Sequence, residues 1–104
     1  MTKFSITAFG ETVENCFVSL GTYATGNLAI RVMQEVTPDY VEPYGVLTVN
    51  TPYEVPAGFA FIKAYSENKD WAEEVATKIG GKPTGMWVQL GYVKVQLWDF
   101  TSLI

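Results

Sequence analysis

The chain has 104 residues, the size of one domain spanning 1–104. Lys and Arg number 7 against 11 Asp and Glu, for a net charge of −4, and 48% of residues are hydrophobic. This balance excludes intrinsic disorder and a nucleic-acid binder that works by bulk positive charge. With no histidine and a single cysteine, Cys16, it also excludes His-activated Ser or Cys nucleophiles, an internal disulfide and a Cys/His zinc site.

No stretch approaches the ~18 apolar residues of a membrane span. The opening Met1-Thr-Lys-Phe-Ser-Ile-Thr lacks the apolar core of a signal peptide. The expectation is a cytoplasmic protein without membrane contact.

In chain order, Phe4, Ile6 and Ala8 alternate with Lys3, Ser5 and Thr7, which predicts a first strand ending at a Gly10-Glu11 turn. Cys16, Val18 and Leu20 alternate in a second strand, and Gly26-Asn27 marks a tight turn into a third with Leu28, Ile30 and Val32 on one face. The stretch 44–50 is apolar on both faces and predicts an inner strand; 59–65 predicts a fifth. One helix is predicted over 68–79, because Trp71, Val75 and Ile79 recur at i, i+4 and i+8. Asn68, or Asp70 boxed with Glu73, would cap it; Glu74 and Lys78 would pair along it; Gly80-Gly81 would end it. In 86–101 the apolar positions shift from even (Val88, Leu90) to odd (Val93, Val95, Leu97), so Gly91 must be a bulge or sharp bend within a long strand or strand pair. The fold class is α+β: an antiparallel sheet of about six strands with one helix packed on one face.

Residues 1–31 and 63–104 are each neutral, so the whole negative charge belongs to 32–62, where Glu35, Asp39, Glu42 and Glu54 have no base among them. Four of the five prolines lie there too, in two similar stretches: Pro38-Asp39-Tyr40-Val41-Glu42-Pro43-Tyr44 and Pro52-Tyr53-Glu54-Val55-Pro56. Two readings apply: ordinary polar turns at the core edge, or an acidic-aromatic docking surface made of Glu35, Asp39, Tyr40, Glu42, Tyr53 and Glu54. Tyrosine supplies rigid amphipathic contact area, and proline lowers the entropy a loop loses on docking. If both stretches are loops flanking a strand at 44–50, they lie roughly 23 Å apart and share a footprint only on a large partner.

Other constellations carry no chemistry. Gly80-Gly81-Lys82-Pro83-Thr84-Gly85 falls short of a phosphate-binding loop, with Ala76 where the first glycine belongs and Pro83 in place of Ser or Thr. Cys16 has no histidine to activate it, and Glu73 and Glu74 diverge by about 100° on a helix. Trp71, Trp87 and Trp98 are expected as core anchors, although Trp87 and Trp98 straddle the phase shift, so at least one is a candidate for exposure. No catalytic residue, metal ligand or cofactor is expected.

Several segments in a shared order resemble an uncharacterised family of small proteins from bacterial genomes, often phages and conjugative elements. They are Gly26-Asn27-Leu28-Ala29-Ile30, Glu42-Pro43-Tyr44 with Leu47-Thr48-Val49-Asn50, Phe61-Ile62, Trp71-Ala72-Glu73-Glu74, Pro83-Thr84-Gly85 and Leu97-Trp98-Asp99-Phe100. The chain departs from the pattern after Phe61-Ile62, where Lys63-Ala64-Tyr65 stands in place of an Asn-rich turn. The resemblance implies a mobile-element setting, in which small acidic proteins such as anti-CRISPR proteins are similar in size and composition. The expectation is a non-enzymatic inhibitor of a host protein or ribonucleoprotein complex with a basic surface, without direct nucleic-acid binding. The alternative is a structural or accessory protein acting through homodimerisation or sheet-edge pairing, with an exposed apolar edge around Trp98.

Overall fold

The computed structural model describes residues 3–104; Met1 and Thr2, where the segment read for a signal peptide begins, lie outside the described residues. The strands are β1 (Phe4–Ala8), β2 (Glu11–Thr22), β3 (Leu28–Thr37), β4 (Tyr40–Val46), β5 (Phe59–Phe61), β6 (Lys82–Leu90) and β7 (Val93–Asp99). A 3-10 turn (Ser66–Asn68) and one helix, α1 (Ala72–Lys78), lie between β5 and β6. The α+β class and antiparallel pairing hold, but the sheet does not stay whole. Among the described residues seven strands form two sheets, one ordered β1-β2-β3-β4 and the other β5-β7-β6.

The first sheet is a meander of hairpins. Its first turn places Phe9 and Gly10 at φ +56° and +75°, the two positive values of a two-residue hairpin turn whose twist matches the strands. Alternation turns Ile6, Cys16, Val18, Ile30 and Val32 inward, and all five are buried. The expected inner strand at 44–50 is replaced by two pieces. Residues 40–46 form β4 at the sheet edge, where Pro43 is tolerated because no further strand needs its missing N–H. Residues 47–49 then cross to the other sheet: Leu47 N–H donates to Ile30 C=O at 2.9 Å, and Val49 N–H donates to Phe61 C=O at 3.0 Å. The crossover leaves Ile30 N–H without a strand partner, and the Thr48 hydroxyl accepts it at 3.1 Å. Tyr23 Oη shares that hydroxyl at 2.9 Å. β5 is shorter than expected because the chain pairs with the crossover at Ile62 and then turns away.

The helix is shorter than 68–79. Asn68 does not cap it; the side chain is drawn inside, where its Nδ2 donates to Val46 C=O at 2.6 Å. Trp71 occupies the N-cap position, and no side-chain cap forms there. The C-terminus follows the sequence: Gly80 takes φ +92°, and Gly81 N–H donates to Ala76 C=O at 2.8 Å. Lys78 and Glu74 pair at 2.8 Å. The same two side chains reach β1, where Thr7 N–H donates to Glu74 Oε2 at 3.2 Å and Lys78 Nζ donates to Ser5 C=O at 2.7 Å.

Gly91 resolves the phase shift as a turn. Leu90 pairs with Val93 and Val88 with Val95, so even and odd positions meet on one face across a two-residue hairpin. Gly91 supplies φ +61° at the first turn position. β6 begins at Lys82, earlier than the expected 86, and is irregular between Pro83 and Trp87.

The main core joins both sheets and the helix: Ile30 and Val32 from the first sheet, Trp71, Val75 and Ala76 from the helix region, Ile62, Trp98 and Phe100 from the second. A smaller cluster of Phe61, Val95 and Leu97 lies on the other face of the three-stranded sheet, with Val88, Leu90 and Val93 packed beside it. That sheet is therefore apolar throughout on this face, and on the other where Ala60 and Trp98 join the main core, giving way there to Gln89, Lys94 and Gln96.

Candidate functional site

The two stretches singled out by charge take different forms. The first is not a loop. Only Pro38-Asp39 turns, and Thr37 pairs directly with Tyr40, so Tyr40, Glu42 and Pro43 are strand residues. Gln34 faces Glu42 and Glu35 faces Val41 in this register. Tyr40 is about half exposed, and its hydroxyl donates to Glu42 Oε2 at 3.2 Å, which ties the ring to the carboxylate two residues away. Glu35 points elsewhere and forms an ion pair with Lys3, so its charge is neutralised. Asp39, Tyr40 and Glu42 remain together at the hairpin end, and neither carboxylate has an ion-pair partner among the described residues.

The second stretch is a loop held to the opposite end of β3. Asn27 Nδ2 donates to Tyr53 C=O at 3.2 Å, just before β3 begins, whereas Asp39 lies just beyond its end. Ten strand residues separate these points by roughly 33 Å, most of the 38 Å long axis of the molecule. The six residues therefore do not form one surface. The structure brings three of them together, pairs Glu35 with a lysine, and carries Tyr53 and Glu54 to the far end.

There Tyr53 leans over the second sheet, its ring 6.4 Å from that of Phe61. Together they border an open apolar groove of about 510 Å³, floored by Phe59, Phe61 and Leu97 and walled by Met86 and Val88, with Glu54 as its one charged lining residue. Sequence reasoning missed this groove, although it placed a strand from 86 where Met86 and Val88 line it. Trp87, on the opposite face of β6, is 55% exposed and Met86 56%, whereas Trp98 is 3% exposed. Any exposed apolar edge is thus around Trp87 and not, as expected, around Trp98. The available signal was the absence of charge: no acid or base occurs from 83 to 93.

Among the described residues, no group of three or more His, Cys, Asp and Glu side chains could hold a metal ion. No helix among them is long and apolar enough to cross a membrane. The Asp99 carboxyl is held below the usual carboxylate range by hydrogen bonds from the Thr101 side chain and N–H. Cys16 is buried, and burial, reinforced by Glu14, pushes its thiol pKa up. The nucleophilic thiolate is therefore withheld near neutral pH. Cys16 is expected to resist iodoacetamide at pH 8 in the folded protein and to react promptly in urea; equal rates in the two states would contradict its burial.

Comparison with family models, curated proteins and solved structures finds no match to this chain.

Proposed function

We propose that the protein is a non-enzymatic binding inhibitor, encoded by a phage or other mobile element, which docks an acidic hairpin end on the basic surface of a host nucleic-acid-handling complex. The observation that supports this is the isolation of Asp39 and Glu42, two carboxylates without ion-pair partners among the described residues, flanking the exposed ring of Tyr40. Unpaired surface charge does little for folding but speeds encounter with a surface of opposite sign. The aromatic ring adds contact area that water-soluble carboxylates lack. Against the six residues expected from sequence, the docking surface narrows to Asp39, Tyr40 and Glu42. Nuclease complexes that hold nucleic acid in cationic channels are the partner class that fits this surface.

The test is binding to a purified guide RNA–nuclease complex. The double variant Asp39→Lys/Glu42→Lys is expected to slow association at least tenfold and to flatten its dependence on salt, while thermal unfolding stays nearly unchanged. Wild-type association that is indifferent to both the charge reversal and the ionic strength would overturn the proposal.

A further inference from the structure

We infer that the free edge of β6 is an association edge for a second copy of this chain. The two sheets have four edges, and three of them are managed. The β1 edge is bonded by Glu74 and Lys78. The β4 edge carries Glu42 and Pro43. β5 is three residues long, and its Phe61 C=O accepts Val49 N–H from the crossover. Charge, proline, shortness and side-chain cover are the devices that keep strand edges from pairing. In β6 such a device is confined to the start, at Pro83 and the irregularity that follows. From Trp87 to Leu90 the edge is regular and uncharged, with exposed Trp87 on it and exposed Met86 just before it.

The register defines what this edge offers. A two-residue turn makes Leu90–Val93 a hydrogen-bonded pair, and alternation makes Val88–Val95 the next. Trp87 and Gln89 therefore aim their N–H and C=O groups away from β7. Two such residues one apart, on either side of Val88, are self-complementary. An antiparallel second copy with its two-fold axis at Val88 sets Trp87 of each chain against Gln89 of the other, closing four backbone hydrogen bonds. Val88 then meets Val88, and Met86 meets Leu90, on the face that carries the apolar groove. The groove would run on into the second copy as one continuous six-stranded sheet.

Charge favours a second copy over a cationic partner. Each molecule carries −4 overall, so copies repel through most orientations, but the run from 83 to 93 opposes no like charges when it pairs with itself. It also offers a basic strand no carboxylate. This inference is independent of the hairpin proposal, which uses the other end of the molecule.

Sedimentation velocity on the full chain from about 1 μM to 1 mM spans the range of weak to ordinary interfaces. The mass is expected to rise from 11.5 kDa to twice that value, with amide exchange at Trp87 and Gln89 slowing as the dimer forms. Val88→Lys, which sets two lysines face to face, is expected to keep the chain monomeric. Gln89→Pro, which removes an outward N–H at an edge where proline is tolerated, is expected to do the same without disturbing the core. A wild-type chain that stays monomeric at the highest concentration would overturn the inference. So would a dimer that survives both substitutions, or slowed exchange at these two amides only when an unrelated peptide strand is added.

Discussion

Replacing Trp71 by alanine is expected to cost about 4 kcal/mol, the range measured for truncating a fully buried aromatic side chain. Trp71 is 2% exposed and sits where the helix meets the first sheet. Its ring lies edge-on to Tyr44, with centroids 5.3 Å apart. It also rests on the bare backbone of Gly45, where an added Cβ would stand 2.7 Å from the indole. Such a loss is a large part of the roughly 5–15 kcal/mol that stabilises a domain of this size. It should lower the melting temperature by about 15–30 °C. Trp87→Ala is the control: at 55% exposure, it should shift the urea midpoint of the monomer by less than about 1 kcal/mol equivalent. Comparable losses from the two substitutions would contradict the assignment of Trp71 to the core and Trp87 to the surface.

The second large effect is expected at Thr48. Thr48→Val keeps the shape of the side chain but removes the acceptor for Ile30 N–H and one of the two partners of Tyr23 Oη, which still reaches Thr48 C=O at 3.2 Å. Ile30 is fully buried, so its N–H has no water to turn to. The cost is expected near 2–3 kcal/mol, the penalty of an abandoned buried donor added to a lost hydroxyl contact. Pairing the substitution with Tyr23→Phe in a double-mutant cycle separates the two bonds. Most of the loss should persist in the Tyr23→Phe background, because the backbone donor is the costlier orphan. If Thr48→Val were neutral, the crossover would not depend on the hydroxyl.

These two residues also mark where the sequence was legible and where it was not. Period-two alternation in 4–8, 16–20 and 28–32 located three strands and their buried faces, because each has one wet side, except at Leu20, which is exposed where β2 runs past the core. The helix end and the Glu74–Lys78 pair were legible from spacing alone. The division into two sheets was not, because it depends on a three-residue crossover whose missing strand partner is supplied by a threonine side chain. No local pattern distinguishes Thr48 from a strand residue. Asn68 looked like a helix cap for a similar reason: the same amide serves equally well inside, on Val46 C=O, and tertiary structure decides. The candidate site was half legible. Counting charge along the chain singled out Asp39, Tyr40 and Glu42. It failed at Glu35, whose neutralising Lys3 is distant in sequence, and at Tyr53 and Glu54, which the hairpins carry away from the others. An exposed apolar edge was expected at Trp98 but lies at Trp87 on β6, because an edge open to association is defined by where charge is lacking, and both tryptophans stand in similar apolar strands.

The bonds from Glu74 and Lys78 to the β1 backbone close sequence separations of 67 and 73 residues. During synthesis the four-stranded meander leaves the ribosome before the side chains of Glu74 and Lys78, which bond the outer rim of its first strand, have been made. The nascent protein therefore passes through a window in which it is open to stray strand pairing, and one that closes only when the helix emerges. Slower translation through the middle of the message should widen that window, and a chaperone that shields extended backbone would narrow it.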